Sequence, residues 1–402
     1  MKFALATAAA LATAGPSCAQ AITLTPLIDA RLRGEHVEQS GLPEDAEAVT
    51  LRVRAGIALT RGPLSAVAEA QGNMAIVDHY YDGLNGAATR PLIGDPENVA
   101  LYRAQLQYRD KALAVTLGRQ RILLDDERFV GAAAFRQASQ TFDAVRVEWS
   151  TVPKLKADIT YAWSVRTIWG LEGAGARPGA VSGDNVFANL SYASPWGTVT
   201  GFAYLVDQDE APVQGFRLSS QSYGARLAGM RPLSNAVKLG YQLSYARQGD
   251  LHRNPNRYQA AYYLAALNLE VAPLKLGGGY EVLGADNGAA LTSFQTPAAT
   301  LFKFNGWADK FLTTPPYGLR DLHATGAIAA KEDVGPLAGA TLTATYHRFS
   351  SDRLARHYGN ELDLLASGKI GKYTLSLRYA DYRADTFATD TRKAWAQVDW
   401  AF

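Results

Sequence analysis

Residues 391–402 alternate without a break: Ala394, Ala396, Val398, Trp400 and Phe402 fall on one side, Lys393, Trp395, Gln397 and Asp399 on the other. A period of two is a strand with one apolar and one mostly polar face. The stretch runs to Phe402, and a final aromatic on such a strand is what the closing strand of an outer-membrane barrel is expected to carry. About seventeen further segments would then have to supply the rest of an eighteen-stranded wall.

They are present. Residues 49–60 set Leu51, Val53, Ala55, Ile57 and Leu59 against Thr50, Arg52, Arg54 and Gly56. Residues 99–109 set Tyr102, Ala104, Leu106 and Tyr108 against Arg103, Gln105 and Gln107. Residues 155–166 set Leu155, Ala157, Ile159, Tyr161, Trp163 and Val165 against Lys156, Asp158, Thr160, Ser164 and Arg166. Residues 237–246 and 373–383 behave in the same way. None of these windows has the 3.6-residue period of a helix.

The connections alternate in kind. Pro- or Gly-marked short turns fall at 61–63, 151–153, 194–197, 231–232, 272–273, 335–336 and 368–371. Longer polar loops lie near 38–47, 78–97, 123–139, 168–183, 209–217, 248–258, 285–318, 351–357 and 384–389. Tight turns on one rim and long loops on the other predict an antiparallel transmembrane β-barrel of about eighteen strands, turns in the periplasm and loops outside. Tyr102, Tyr108, Trp149, Trp163 and Trp400 are expected in the interfacial aromatic girdles.

The 402 residues divide into residues 1–21, with the pattern of a cleaved secretory signal, and one barrel domain over 22–402. Lys2 precedes an apolar run that stops at Gly15-Pro16 and is too short to span a bilayer as a helix. Cys18, the sole cysteine, would leave with the signal, so the mature chain would have no disulfide and no thiolate metal site. A mean hydropathy of −0.12 looks soluble. A barrel hides its apolar residues at every second position, and such averages miss them.

With the polar parity facing inward, Arg31, Arg33, Arg52, Arg54, Arg103, Arg146, Lys156, Arg166, Arg226, Lys238 and Arg378 point into the lumen. Asp29, Glu35, Glu69, Glu148, Asp158 and Asp399 point there too. The excess of arginine predicts an anion-selective aqueous lumen, since rings of Arg or Lys concentrate anions and the guanidinium fork grips carboxylates. Asp143 shares parity with Val145 and Val147, which puts it beyond the apolar band or after a bulge.

The densest stretch is residues 117–147, LGRQRILLDDERFVGAAAFRQASQTFDAVRV. Its Gly118-Arg119-Gln120, Asp126-Glu127-Arg128-Phe129-Val130-Gly131, Arg136 and Thr141-Phe142-Asp143-Ala144-Val145-Arg146 resemble the signature of the alginate-export family of outer-membrane barrels. Residues 294–321, with Gly306-Trp307-Ala308-Asp309-Lys310-Phe311, resemble a loop of the same family. The resemblance implies an eighteen-stranded barrel that passes an anionic polysaccharide or another acidic solute. It also implies that Arg119, Arg128, Arg136 and Arg146 belong to a charged constriction oriented by Asp126, Glu127 and Asp143. Together with the parity reading, Arg52, Arg54, Arg103 and Arg166 complete the expected constriction. Every periplasmic turn is short, so the long periplasmic plug loop that exporters of this family can use is expected to be absent or replaced by an outer loop folding inward.

Neither a Gly-x-Ser-x-Gly elbow nor a basic run with interleaved aromatics occurs, so neither an enzyme nor a nucleic-acid partner is expected. The six histidines stand at no metal-ligand spacing in sequence, and no metal or cofactor is expected. Gly277-Gly278-Gly279 inside a strand pattern predicts a bend or bulge. The expected partners are outer-membrane lipid and the acidic solute, with the barrel acting as a monomer. The rival expectation is a non-conducting barrel whose outer loops, 285–318 with Trp307 and Phe311 above all, bind a surface partner.

Overall fold

The computed structural model describes residues 21–401. The expected signal segment (save Ala21), Cys18 and the final Phe402 lie outside the described residues.

Eighteen antiparallel strands run β1 Thr23–Gln39, β2 Ala46–Arg61, β3 Leu64–His79, β4 Asn98–Arg109, β5 Leu113–Gln120, β6 Thr141–Trp149, β7 Leu155–Arg166, β8 Ala180–Ser194 and β9 Gly197–Val206. They continue with β10 Ser220–Pro232, β11 Val237–Asp250, β12 Gln259–Val271, β13 Leu274–Leu283, β14 Leu319–Ala329, β15 Ala338–Ser350, β16 His357–Ile370, β17 Tyr373–Ala384 and β18 Thr391–Ala401. Each strand pairs with its neighbours in sequence, and β1 pairs with both β2 and β18. The sheet therefore closes and leaves no edge, the one way a β-structure can satisfy its backbone in lipid. The short turns all fall on one rim, and the long connections fall on the other.

The outward parity is apolar and bare. Leu106, Tyr223, Leu243, Tyr245, Tyr263, Leu267, Leu342 and Leu377 are all exposed, and they form a continuous belt around the wall. A patch of that extent on a water-facing protein would be an aggregation site; here it is the lipid contact.

Tyr102 and the glycine run 277–279 depart from what the sequence predicts. A register irregularity between Glu69 and Ala70 opposite β4 turns Tyr102 inward, where it is 3% exposed, so Tyr102 is a lumen residue and not part of a girdle. The three glycines 277–279 lie in a regular, unbulged ladder between β12 and β14. They make room for neighbours instead: a Cβ on Gly277 would stand 2.3 Å from Asn268 Oδ1, and one on Gly279 2.7 Å from the His323 ring.

The core is inside the tube. The third outer loop, residues 121–140, and the seventh, residues 284–318, fold into the lumen, where their aromatics join those of the inner wall in the main hydrophobic cluster. Phe129 packs on Phe202, Tyr204, Tyr262 and Phe294 at ring separations of 5.1–5.8 Å. Phe135 stacks on Phe302 at 3.4 Å, and both present edges to Trp395 of β18. Phe311 meets Phe349, Tyr382 and Phe387. The two loops are stitched to each other by a short parallel bridge between Val130 and Ala298, capped by Gln140 Nε2, which donates to the carbonyls of Gly131 and Ala298. Gly131 permits that approach, since a Cβ there would lie 2.2 Å from Thr300 Oγ1. Trp307 and Phe311 are thus inside the lumen, which removes them from any outer binding surface.

Candidate lumen site

The inner wall of β17, β18, β1 and β2 gathers four arginines, Arg52 and Arg54 buried and Arg31 and Arg378 half-buried. Strand register sets Arg31 opposite Arg52 on one side and Asp399 on the other, so the three heads meet across adjacent strands. Arg31 Nε donates to Asp399 Oδ1 at 2.7 Å, and Arg52 pairs with Asp29. Arg54 finds no carboxylate. It donates to Gln71 at 3.0 Å and Ser139 at 2.7 Å, and lies 3.9 Å over the Tyr102 ring. Arg378 makes no ion pair among the described residues; its guanidinium lies 4.8 Å over Trp307 and 5.5 Å over Phe135, and its Nε is buried without a partner. Four guanidiniums therefore face two carboxylates along this seam. Further round, Arg103 pairs with Glu69 at 2.6 Å and Arg146 with Asp158 at 2.9 Å, each locally neutral.

The loop arginines do something else. Arg128 is fully buried and bonds Glu281 of β13 at 2.6 Å and Asn305 of the seventh loop at 2.9 Å. Arg136 bonds Asp309 at 2.5 Å, and Lys393 of β18 reaches the same oxygen at 3.2 Å. Burial would raise the Asp309 carboxyl, but Lys393 and Arg136 together hold it below the usual range. Lys310 beside them is pushed down to about 8 by burial, with Lys393 adding to the push. Asp126 accepts from Gln242 at 2.8 Å and faces Arg226 at 3.3 Å, while Glu127 accepts from Thr300 at 2.6 Å. Arg128, Arg136, Asp126 and Glu127 are thus fasteners between loops and wall. Arg33, 1% exposed, is another: it bonds Asp95 and the Phe135 carbonyl.

Arg119, Asp143 and Arg166 come together, but on the other face of the wall. Arg119 Nε and Arg166 Nε both donate to Asp143, at 2.7 and 2.9 Å. An extra residue, Trp163, enters β7 between the pairs with Ala144 and Asp143, and it flips the parity beyond it. Arg166 then shares the outward side with Asp143, Arg119 and the exposed Leu117. The lumen placement expected for these three residues is therefore corrected: the bulge turns Arg166 outward, while Arg119 and Asp143 already share the outward parity of Leu117, Val145 and Val147. Arg119 and Arg166 line a 290 Å³ cleft where β4 leaves β5 after Ala104 and the loop 167–179 covers the gap.

The wall also assembles residues that are remote in sequence. The β14–β15 register places His323 opposite His347, and Asp321 lies two residues before His323 on the same inward face. Lys393 and Trp395, on the polar parity of β18, turn out to be the floor on which both inward loops rest. A tryptophan on a lumen-facing parity was the available signal for an inserted loop.

Residues 29–202 match the family model described as alginate export. The alginate-export match contains the first motif, residues 117–147, and not the second, 294–321, so the family resemblance is borne out on the segment that carries its densest signature. Among solved structures, OpdL of Pseudomonas aeruginosa is similar at 16% identity, with 94% of this chain and 98% of that chain covered and a TM-score of 0.67. The outer membrane protein OpdK of Pseudomonas aeruginosa is similar at 12% identity with the same coverage and a TM-score of 0.67. Its complex with vanillate gives 13%, 94%, 98% and 0.64. No curated protein sequence matches the chain. Closed barrel, lipid-facing belt and alginate-export match together place the protein in the bacterial outer membrane.

Proposed function

We propose that the protein is a passive outer-membrane channel for small acidic solutes, sugar acids among them, with no cofactor and no catalytic step. The observation that carries this reading is the seam of Arg31, Arg52, Arg54 and Arg378 against only Asp29 and Asp399. An uncompensated guanidinium on a low-dielectric wall raises the local anion concentration and offers a planar fork to a carboxylate. That OpdK was solved with vanillate, a small aromatic carboxylate, is consistent with this choice of cargo.

Small solutes fit better than a polymer. Two loops cross the lumen and are tied to each other and to β13, β16 and β18, so a chain-like substrate would need the whole assembly to withdraw. The test is conductance in planar bilayers under a salt gradient. Anion preference that drops in Arg52→Ala and Arg378→Ala, together with current block by a monomeric sugar acid, supports the reading. Cation preference in the unmodified protein, or block only by polymeric uronate, refutes it.

A further inference from the structure

We propose that Asp321, His323 and His347 form a binding site for a divalent transition-metal ion of the zinc class on the inner wall of β14 and β15. The two histidines lie directly opposite in register, with ring centres 5.4 Å apart. Asp321 Oδ1 is 2.9 Å from His347 Nδ1 and 3.9 Å from His323 Nδ1, and one ligand atom from each residue lies within 4.8 Å of the others. An ion held at about 2.0–2.2 Å by two imidazoles and a carboxylate needs donors roughly 3–3.6 Å apart. The pair with His347 is already at that spacing. The His323 ring must close from 3.9 Å on Asp321 Oδ1 and from within 4.8 Å on the His347 donor, a movement of up to roughly an ångström.

Three further observations point to a ligand. His323 Nδ1 is buried and has no hydrogen-bond partner, an expensive state for a ring nitrogen aimed at a carboxylate and a second imidazole. Asp363 of β16, 1% exposed, places Oδ2 3.7 Å from His347 Nε2 and leaves Oδ1 unpartnered. With an ion on Nδ1, the Nε2–H of His347 would donate to Asp363, the carboxylate–histidine–metal relay that orients most imidazole ligands. Gly279 on β13 leaves room for the His323 ring, which a Cβ would contact at 2.7 Å.

The donor set fixes the class of ion. Two imidazoles and one carboxylate suit Zn²⁺, Co²⁺ or Ni²⁺, whereas Mg²⁺ and Ca²⁺ take oxygen cages. His323 is partly open to the lumen and gives the ion a way in from the aqueous side. Asn305 of the seventh loop donates to Asp321 Oδ2 at 3.1 Å, so an ion on Asp321 would also hold that loop. This site is independent of the arginine seam, which lies on β17, β18, β1 and β2.

The test is titration of tag-free, detergent-folded barrel with Co²⁺ and Zn²⁺, read by visible absorption and calorimetry. One equivalent of Co²⁺ with d–d bands that Zn²⁺ displaces is expected, lost in His323→Ala and His347→Ala. Asp363→Asn is expected to weaken the affinity at least about tenfold, as for other outer partners of a metal-bound histidine. His323→Gln, checked for heat-modifiable migration of the folded barrel, guards against a variant that fails to fold. No stoichiometric binding, or binding undiminished in a folded His323 variant, overturns the proposal.

Discussion

Arg128 and Arg378 carry the same head group into the same tube and meet opposite surroundings. Arg128, on the third outer loop, is buried and satisfied: Glu281, Asn305 and Thr296 take its donors. Arg378, on β17, lies half-buried over two aromatic rings with no carboxylate beside it. The first is a rivet, since an ion pair in a dry core stabilises only while both partners remain. The second is a recognition group, since its charge is still available. Charge type alone therefore does not mark a pore constriction; what decides is whether the loops have already consumed it.

The strongest way to break this comparison is Arg128→Ala. Removing it strands the Glu281 carboxylate in the core at a cost of about 3–5 kcal/mol. Loss of the third loop's attachment should appear as proteolytic cutting within 121–140 and as larger, noisier single-channel currents; an intact loop and unchanged conductance would show that Arg128 is not a fastener. Phe135→Ala comes next. It removes the stack on Phe302 and the edge contact with Trp395, with an expected cost of about 3 kcal/mol read from thermal unfolding, and the two inward loops should loosen together.

Arg52→Ala with Arg378→Ala tests the other side. Both heads face the lumen, Arg52 buried and paired with Asp29 and Arg378 half-buried. The anion-to-cation permeability ratio should therefore fall several-fold, with a modest loss of melting temperature from Arg52, whose removal leaves Asp29 without its partner. A selectivity unchanged in the double variant would transfer the field to other residues. The smallest effect is expected from Arg166→Ala. It weakens a pair on the outward face and should leave ion selectivity where it was, in contrast with the seam variants.

Lys310 gives a pH signature to the buried side. Its folded value is pushed down to about 8 from an ordinary 10.5, so below pH 8 the protein holds a buried ammonium that the unfolded chain solvates freely. Stability of the seventh loop should therefore rise as pH goes from 8 to 10.5, where the unfolded state binds the extra proton, and flatten above. Hydrogen exchange across residues 300–315 measures it, and Lys310→Met should remove the slope.

Much of this fold could be read from the chain alone, because the side-chain period of a strand is local. Leu243 and Tyr245 face lipid because each stands two residues from the next, and the alternation of tight turns and long loops follows from Pro and Gly placement. The same rule put Arg31, Arg52, Arg54 and Arg378 in the lumen, and that is where they are found. It failed at Tyr102 and Arg166, because a single added residue on one strand reverses every side chain beyond it and has no compositional mark.

What only the tertiary structure decided is partnership. Arg128 meets Glu281 across 153 residues, Arg136 meets Asp309 across 173, and His323 meets His347 through strand register. Each depends on two outer loops choosing the inside of the tube, driven by aromatic burial spread over Phe129, Phe135, Phe294, Phe302 and Phe311. Periodicity reports which side of a wall a residue occupies; it is silent on what crosses the space within. That difference is why the wall was legible in the sequence and the furnishing of the lumen was not.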